Sequence, residues 1–325
     1  MWQAITDVPG VLVGQISDIE AMTGCTVCVF PDGAVGGVDI RGSASGTREI
    51  AVLEGGHIAP HIHAILLAGG SAYGLDAAGG VMRALEEQGI GFITRAAHVP
   101  LVPAAILYDL GLGSATRRPD VDMGYAACRA AVAGAVAEGN VGAGTGATVG
   151  KLFGITHAMQ GGIGTASAHL HDSVWVGALV ACNTFGDVMD AETGHLLAGT
   201  RRAPESFDLV DTALQLRLGH VARVPAGTST TLAVVATNAQ LTKAQAQKLA
   251  QLAQQGLVRG LSPAHTLFDG DTVFAVSTGS HTADLTRLGI TAAALVATCL
   301  TRAVRHARSL GGVPGLGDTL LPSAP

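Results

Sequence analysis

The chain has 325 residues, 45 of them Gly and 12 Pro, with only 7 Phe, 3 Tyr and 2 Trp; 48% is apolar and the mean hydropathy is +0.40. Collagen, which needs Gly at every third position and much Pro, and disorder, which needs low hydrophobicity, are both excluded. With 19 basic against 25 acidic residues the net charge is -6, and the only basic pairs are Arg117-Arg118 and Arg201-Arg202, so nucleic acid is not the expected partner.

The amino-terminal MWQAITDVPGV has no basic n-region and no long apolar h-region, and the longest apolar runs, such as ITAAALVATCL at 290–300, are short for a membrane span. The expectation is a soluble, cytoplasmic protein that meets no membrane. The five cysteines (25, 28, 128, 182 and 299) are odd in number and scattered. Cys25 and Cys28 form a lone CxxC in the strand-like GCTVCVF, where residues three apart point to opposite faces, so reduced core thiols are expected rather than a metal or redox site. Length allows either two domains or one large layered α/β domain.

Strand and helix signals alternate along the chain. Strand-like runs are VLVGQISD (11–18), TVCVF (26–30), HAILLAGG (63–70), SVWVGALVACN (173–183), TTLAVVATN (230–238) and DTVFAVSTG (271–279). Helix-like runs cover 71–89, 124–139, 242–260 and 282–312. The third has Thr242 as an N-cap and Gly256 or Gly260 as stops. With so much Gly and Ala and so few aromatics, the core is expected to be Val, Leu, Ile and Ala with backbones in close approach. The segment 197–229, holding Arg201-Arg202, Pro204, Pro225 and Gly227, reads as an irregular connection and as the best internal boundary.

Several attractive motifs fail on their own mechanics. Gly142, Gly144 and Ala147 satisfy G-x-G-x-x-A, but they follow a helix-like run where a dinucleotide site needs a strand. Gly150-Lys151 resembles the end of a phosphate loop, but the spacing from Gly144 is one residue too long and Leu152 replaces the Ser or Thr that would hold magnesium. GGSAYG at 69–74 has Tyr73 where a nucleophile elbow needs Gly. His61 with His63, and His169 with His171, are spaced to share a strand face but have no third ligand, so solvated or packed histidines are expected.

The run from Pro225 to Asn238 puts the hydroxyl residues 228–231 at the start of a buried-type strand. Two readings stand: Thr simply suits a strand and Ser a turn, or one of these residues becomes a new amino terminus after the chain cuts itself, supplying nucleophile and base together. Lys151 is one of three lysines and alone in its apolar, Gly-rich stretch, so it either snorkels to the surface or acts as a buried cation. Asn183 ends a strand-like run and offers uncharged N–H donors, and Tyr108 offers an O–H; each suits an oxyanion hole, or a plain turn and core role. Asp269-Gly270-Asp271 is first a turn signal, and in a tight turn also directs two carboxylates to one region.

At these residues the chain resembles the autoprocessing N-terminal-nucleophile hydrolases that include L-aminopeptidase/D-esterases, β-aminopeptidases and nylon-oligomer endo-hydrolases. The resemblance runs through GGSAYGLDAA (69–78), VPAAILYDLG (102–111), GAGTGATVGKLFG (142–154), ALVACNTFGD (178–187), STTLAVVATNAQLTKAQAQKLA (229–250) and FDGDTVFAVSTG (268–279). It implies a layered αββα sandwich made as one precursor and split between Ser229 and Thr230, giving an α-chain 1–229 and a β-chain 230–325 that together form one structural domain. It implies Thr230 as nucleophile, with Ser229 and Thr231 as the off-by-one alternatives, Lys151 in the active site, Asn183 and Tyr108 as oxyanion donors, and Asp269 and Asp271 as partners of the Thr230 amine and hydroxyl. Thr with Asp and Asp moves the chain toward the nylon-oligomer branch, since some relatives carry Ser with Ser and Glu, while Ser229 departs from the Asn or Gly that relatives commonly have before the nucleophile. The implied substrates are small peptides or ω-amino acid amides and oligomers, with no cofactor or metal, in a homo-oligomer, a tetramer of processed protomers. The alternatives are an acyltransferase of the ornithine acetyltransferase type, whose usual Lys-Gly before the Thr is missing, and a binding or assembly protein that keeps the fold without cleaving.

Overall fold

A computed structural model describes residues 3–170 and 173–319. Nine strands carry the fold: β1 (Leu12–Asp18), β2 (Thr23–Ile40), β3 (Gly46–Arg48), β4 (Ile62–Ala68), β5 (Ala104–Ile106), β6 (Gly162–His169), β7 (Trp175–Asn183), β8 (Thr230–Ala239) and β9 (Thr272–His281). Four helices flank them: α1 (Ala77–Glu86), α2 (Val121–Arg129), α3 (Lys243–Gly260) and α4 (Leu285–His306).

The 18-residue β2 belongs to two sheets. Its first half pairs antiparallel with β1 and with β4 (Cys25↔Ala68 to Val29↔Ala64), and β4 continues through β5 to β3. The register breaks between Val29 and Ala34, and the second half, Val35 to Ile40, pairs antiparallel with β9 in the other sheet. That sheet runs β6-β7-β8-β9, all antiparallel except the central β8/β9 pair, which is parallel. Pro31-Asp32-Gly33 is a turn signal in sequence, and here it bends β2 instead of ending it. The strand expected at 26–30 is therefore the start of a much longer one.

Period-2 alternation sends successive side chains to different cores. Leu232, Val234 and Ala236 of β8 meet Ile65 and Leu67 of β4 between the sheets, while Ala233 and Val235 face α3 and α4. On the far side Val27, Leu66 and Ala68 pack under α1 and α2. The result is an αββα sandwich, as expected. Cys25 lies under the helices and Cys28 between the sheets, so the CxxC does face two ways, and all five cysteines are buried and unbridged. Small residues let the layers close: a Cβ on Gly164 would sit 1.9 Å from the Cys299 carbonyl oxygen of α4.

Local signals account for several boundaries. Thr242 caps α3 through a capping box with Gln245, and the helix runs past Gly256 to Gly260. The helix expected at 124–139 is instead Val121–Arg129, capped by Asp120. Its chain leaves because Val132 bridges Val13 of β1 and Gly139 bridges Ile163 of β6, contacts that no local pattern announces. The run 71–89 opens as a 3₁₀ turn, Ser71–Asp76, before α1 begins. Strand β6, GIGTASAH, was not expected, since its small residues carry no strand signature. The segment 197–229 is mostly irregular but contains the short helix Thr212–Arg217. Helix α4, with 22 residues, is by length and composition long and apolar enough to cross a bilayer, contrary to the expectation from residues 290–300; here Leu288, Ala292, Val296 and Leu300 cover the β6–β9 sheet.

Candidate active site

Sheet register alone assembles most of the site. Thr230 opens β8 directly opposite Asn183, the last residue of β7, and the parallel neighbour β9 begins at Thr272, just after Asp269-Gly270-Asp271. Ser229 pairs in parallel with Asp269: its N–H donates to the Phe268 carbonyl at 3.2 Å, and its own carbonyl accepts from the Gly270 N–H at 2.9 Å. Three distant stretches thus meet at one pole of the sandwich, and Ser229, Thr230, Asn183, Asp269 and Asp271 are all buried.

Lys151 is brought in by its own backbone, which donates to the Phe185 carbonyl at 3.0 Å. Its side chain is buried, so it does not snorkel, and Nζ donates to the Asn183 carbonyl (3.1 Å), Asn183 Oδ1 (2.9 Å) and Ser229 Oγ (3.2 Å). Those three acceptors match the three N–H bonds of an ammonium. Burial lowers the Lys151 pKa to about 7, against the opposing pull of the Asp269 charge and, more weakly, that of Asp271. Burial thus favours the uncharged amine at this position.

Asn183 Oδ1 also accepts from the Thr148 N–H at 3.0 Å, while its Nδ2 donates to the Tyr108 carbonyl at 2.9 Å. The contact between Asn183 and Tyr108 thus runs through the Tyr108 backbone rather than the phenol.

The two carboxylates are held separately. Asp269 Oδ1 accepts from the Phe185 N–H (3.0 Å) and Oδ2 from the Thr266 Oγ1–H (2.5 Å) and N–H (3.2 Å). Burial, then the charge of Asp271, raises the Asp269 pKa to about 6. Asp271 Oδ1 accepts from the Thr231 N–H at 2.8 Å, and Oδ2 from the His265 N–H at 3.1 Å with His265 Nδ1 at 2.9 Å. His265, Thr266 and the Phe185 N–H are participants that sequence reasoning missed. Nothing in a lone His or Thr within an irregular stretch marks it as the holder of a carboxylate.

Thr230 itself donates from Oγ1 to the Ser229 carbonyl oxygen at 2.6 Å. The adjacent Thr231 Oγ1 is buried and has no hydrogen-bond partner among the described residues. A cavity of about 250 Å³ reaches this pole, lined by Tyr108, Thr148, Lys151, Ile155, Arg223 and Thr228 among others. A hydroxyl, a near-neutral amine, two carboxylates and a peptide carbonyl with a fixed N–H donor form a set suited to acyl transfer.

Of the discarded motifs, Gly150-Lys151 supplies Lys151 to the site, though not as a phosphate loop. Gly142–Gly144 is a 3₁₀ turn after a non-helical residue, and His63 Nδ1 accepts from the Leu101 N–H as a packed histidine. His169 lies against Trp175, while His171 falls outside the described residues. Among the described residues no group of three His, Cys, Asp or Glu is arranged to hold a metal.

The model of Peptidase family S58 matches residues 3–316. The chain belongs to peptidase family S58. It is 40% identical to an uncharacterised aminopeptidase of Mycobacterium leprae, over 96% of this chain and 92% of that one. With a 6-aminohexanoate-oligomer endohydrolase of Kocuria it shares 36% identity, over 84% of this chain and 74% of the other. The fold matches that of the L-aminopeptidase D-Ala-esterase/amidase of Ochrobactrum anthropi, described as a variant of the N-terminal-nucleophile hydrolase fold, with TM-score 0.71 and 21% identity over 96% and 88% of the two chains. A Burkholderia β-aminopeptidase matches at TM-score 0.69 and 24% identity over 98% and 92%. This family S58 chain is a hydrolase of peptide or amide bonds.

Proposed function

We propose that the chain is a precursor that cuts its own backbone between Ser229 and Thr230, and that the new amino-terminal Thr230 then hydrolyses amide bonds of small peptides or ω-amino acid oligomers. The observation that carries this reading is the Thr230 hydroxyl lying against the Ser229 carbonyl inside a buried, charged pole. In the first reaction Thr230 Oγ bonds to the Ser229 carbonyl carbon and its proton passes to the neutral fraction of Lys151, which a pKa near 7 supplies at ordinary pH. The C–N bond breaks as Thr230 N takes a proton, and water cleaves the resulting ester to a Ser229 carboxylate.

The freed amine has a reference pKa of about 7.7–8.0, so it serves as the base for its own hydroxyl when substrate enters. Substrate acylates Thr230 Oγ, its amine leaves, and water returns the free enzyme. Lys151 and Asn183 orient and stabilise this site, Asp269 and Asp271 balance the charge of the amine, and Tyr108 lines the cavity that receives the acyl group. Nylon-oligomer and aminopeptidase relatives support the substrate class. The processed protomers form homo-oligomers in this reading.

Denaturing mass spectrometry of purified protein tests it. Two fragments, the smaller beginning at Thr230, together with an intact 32.6 kDa species for Thr230→Ala, are expected. An intact, inactive wild-type chain would favour a binding protein of the same fold, and acetyl transfer from N-acetylornithine to glutamate would favour an acyltransferase.

A further inference from the structure

The resting geometry around the Ser229 carbonyl holds two donors, and chemistry removes one of them. Thr230 Oγ1–H donates to the oxygen at 2.6 Å and the Gly270 N–H at 2.9 Å. When Oγ attacks the carbon it gives up its proton and can no longer donate, at the moment when negative charge gathers on that oxygen. The Gly270 N–H is the donor that stays. Asn183 Nδ2, the other candidate nearby, donates to the Tyr108 carbonyl in this state.

The identity of residue 270 carries a second, separate message. Its backbone is not among those with positive φ, so conformation does not demand Gly. Space does: a Cβ there would lie 2.7 Å from Thr230 Oγ1 and 2.6 Å from the Ala44 carbonyl oxygen. The turn is also braced for the purpose, with Asp269 tied on both sides, by its own N–H to the Thr266 carbonyl at 3.2 Å and by its carboxylate to Thr266 and Phe185.

We infer that the Gly270 main-chain N–H is the oxyanion donor of the self-cleavage step, and that glycine stands at 270 because the Ala44 carbonyl and the attacking Thr230 hydroxyl together occupy the place of a side chain. The inference rests on the proposed cut between Ser229 and Thr230. In this step the Oγ–C bond forms, the carbonyl π pair moves onto oxygen facing the Gly270 N–H, and the hydroxyl proton goes to Lys151; collapse of the oxyanion then breaks the C–N bond as Lys151 returns that proton to the departing Thr230 nitrogen. A fixed N–H already at hydrogen-bond distance needs no reorganisation as charge develops, which is where such donors gain their effect.

The test replaces Gly270 by glycolate through semisynthesis, which exchanges the N–H for an ester oxygen without adding a side chain. Self-cleavage, followed by denaturing mass spectrometry, is expected to slow by about 10²–10³-fold, the effect of losing one oxyanion donor. Because the ester also weakens the Asp269 carbonyl, which accepts from the Ala44 N–H at 3.0 Å, the control replaces Ala44 by lactate; this removes the same hydrogen bond and leaves the Gly270 N–H, and cleavage within a few-fold of wild type is expected. Equal slowing in both proteins, or wild-type cleavage with glycolate at 270, overturns the inference while leaving the proposed function intact. An uncut wild type removes the proposed function itself. On the native backbone, a through-hydrogen-bond NMR coupling between Gly270 nitrogen and Ser229 carbonyl carbon is expected in uncut Thr230→Ala, and its absence overturns the inference whether or not the ester proteins fold.

Discussion

Two acidic sites in this molecule share deep burial and a raised pKa but differ in their neighbours. Asp187 is fully buried, and burial raises its pKa to about 7; Asp269 is equally buried and raised to about 6. Asp187 faces only donors that saturate it: the Thr200 N–H (2.8 Å), Thr212 N–H (2.7 Å) and Thr212 Oγ1–H (2.7 Å). It fastens the segment 200–212 to the sheet end and has no reacting partner. Asp269 shares its pole with Lys151, a second carboxylate and the Ser229–Thr230 peptide. A perturbed carboxyl therefore marks burial first; only its neighbours show whether chemistry can follow.

The largest effect expected from breaking this contrast comes at Lys151. Lys151→Met should slow self-cleavage by about 10²–10⁴-fold, the usual contribution of a proton acceptor, in a mass-spectrometric time course. Its melting temperature should fall as well, since Met leaves the buried Asn183 and Ser229 acceptors without their donor and the two carboxylates without their counter-charge. The wild-type cleavage rate should rise with pH through about 7, where Lys151 becomes neutral, and a rate that is flat from pH 5 to 9 would remove Lys151 as the proton acceptor. The same shift has a stability counterpart of known sign. Between about 7 and 10.5 the unfolded chain holds a proton that folded Lys151 lacks, so this residue makes stability increase with pH across that window.

At Asp187 only the stability cost is expected. Asp187→Asn should leave cleavage within a few-fold of wild type but cost about 1–3 kcal/mol in urea unfolding, because an amide nitrogen would face a donor. Since the folded pKa of Asp187 is raised from 3.8, its contribution is complete below pH 3.8 and is lost as pH rises through about 7. The variant should flatten that part of the stability profile.

The smallest effect distinguishes neighbours on one strand. Thr231→Val removes a buried hydroxyl that has no partner among the described residues, and should gain about 1 kcal/mol in the same unfolding measurement with cleavage unchanged. Loss of cleavage in Thr231→Val would move the nucleophile one residue along.

Much of this was legible in the chain itself. Continuous apolar runs foretold β8 and β9, Thr242 as N-cap foretold the start of α3, and the three-residue spacing of Cys25 and Cys28 foretold their opposite faces. These are local properties, governed by side-chain period and capping. Blocks of resemblance spread over the chain pointed to Thr230, Lys151, Asn183, Asp269 and Asp271 as one group.

What no local pattern could supply was everything held by contacts between distant residues. Pro31-Asp32-Gly33 bends β2 rather than ending it because β4 and β9 pair with its two halves. Residues 130–139 leave the helix for bridges to β1 and β6. His265 and Thr266 hold carboxylates, Asn183 turns its amide to a backbone carbonyl, and the Gly270 N–H meets the Ser229 oxygen, each by sheet register and loop closure. Residue types and their periods thus determined the strands, the helices and the chemistry available, while long-range hydrogen bonding decided which of those groups face one peptide bond.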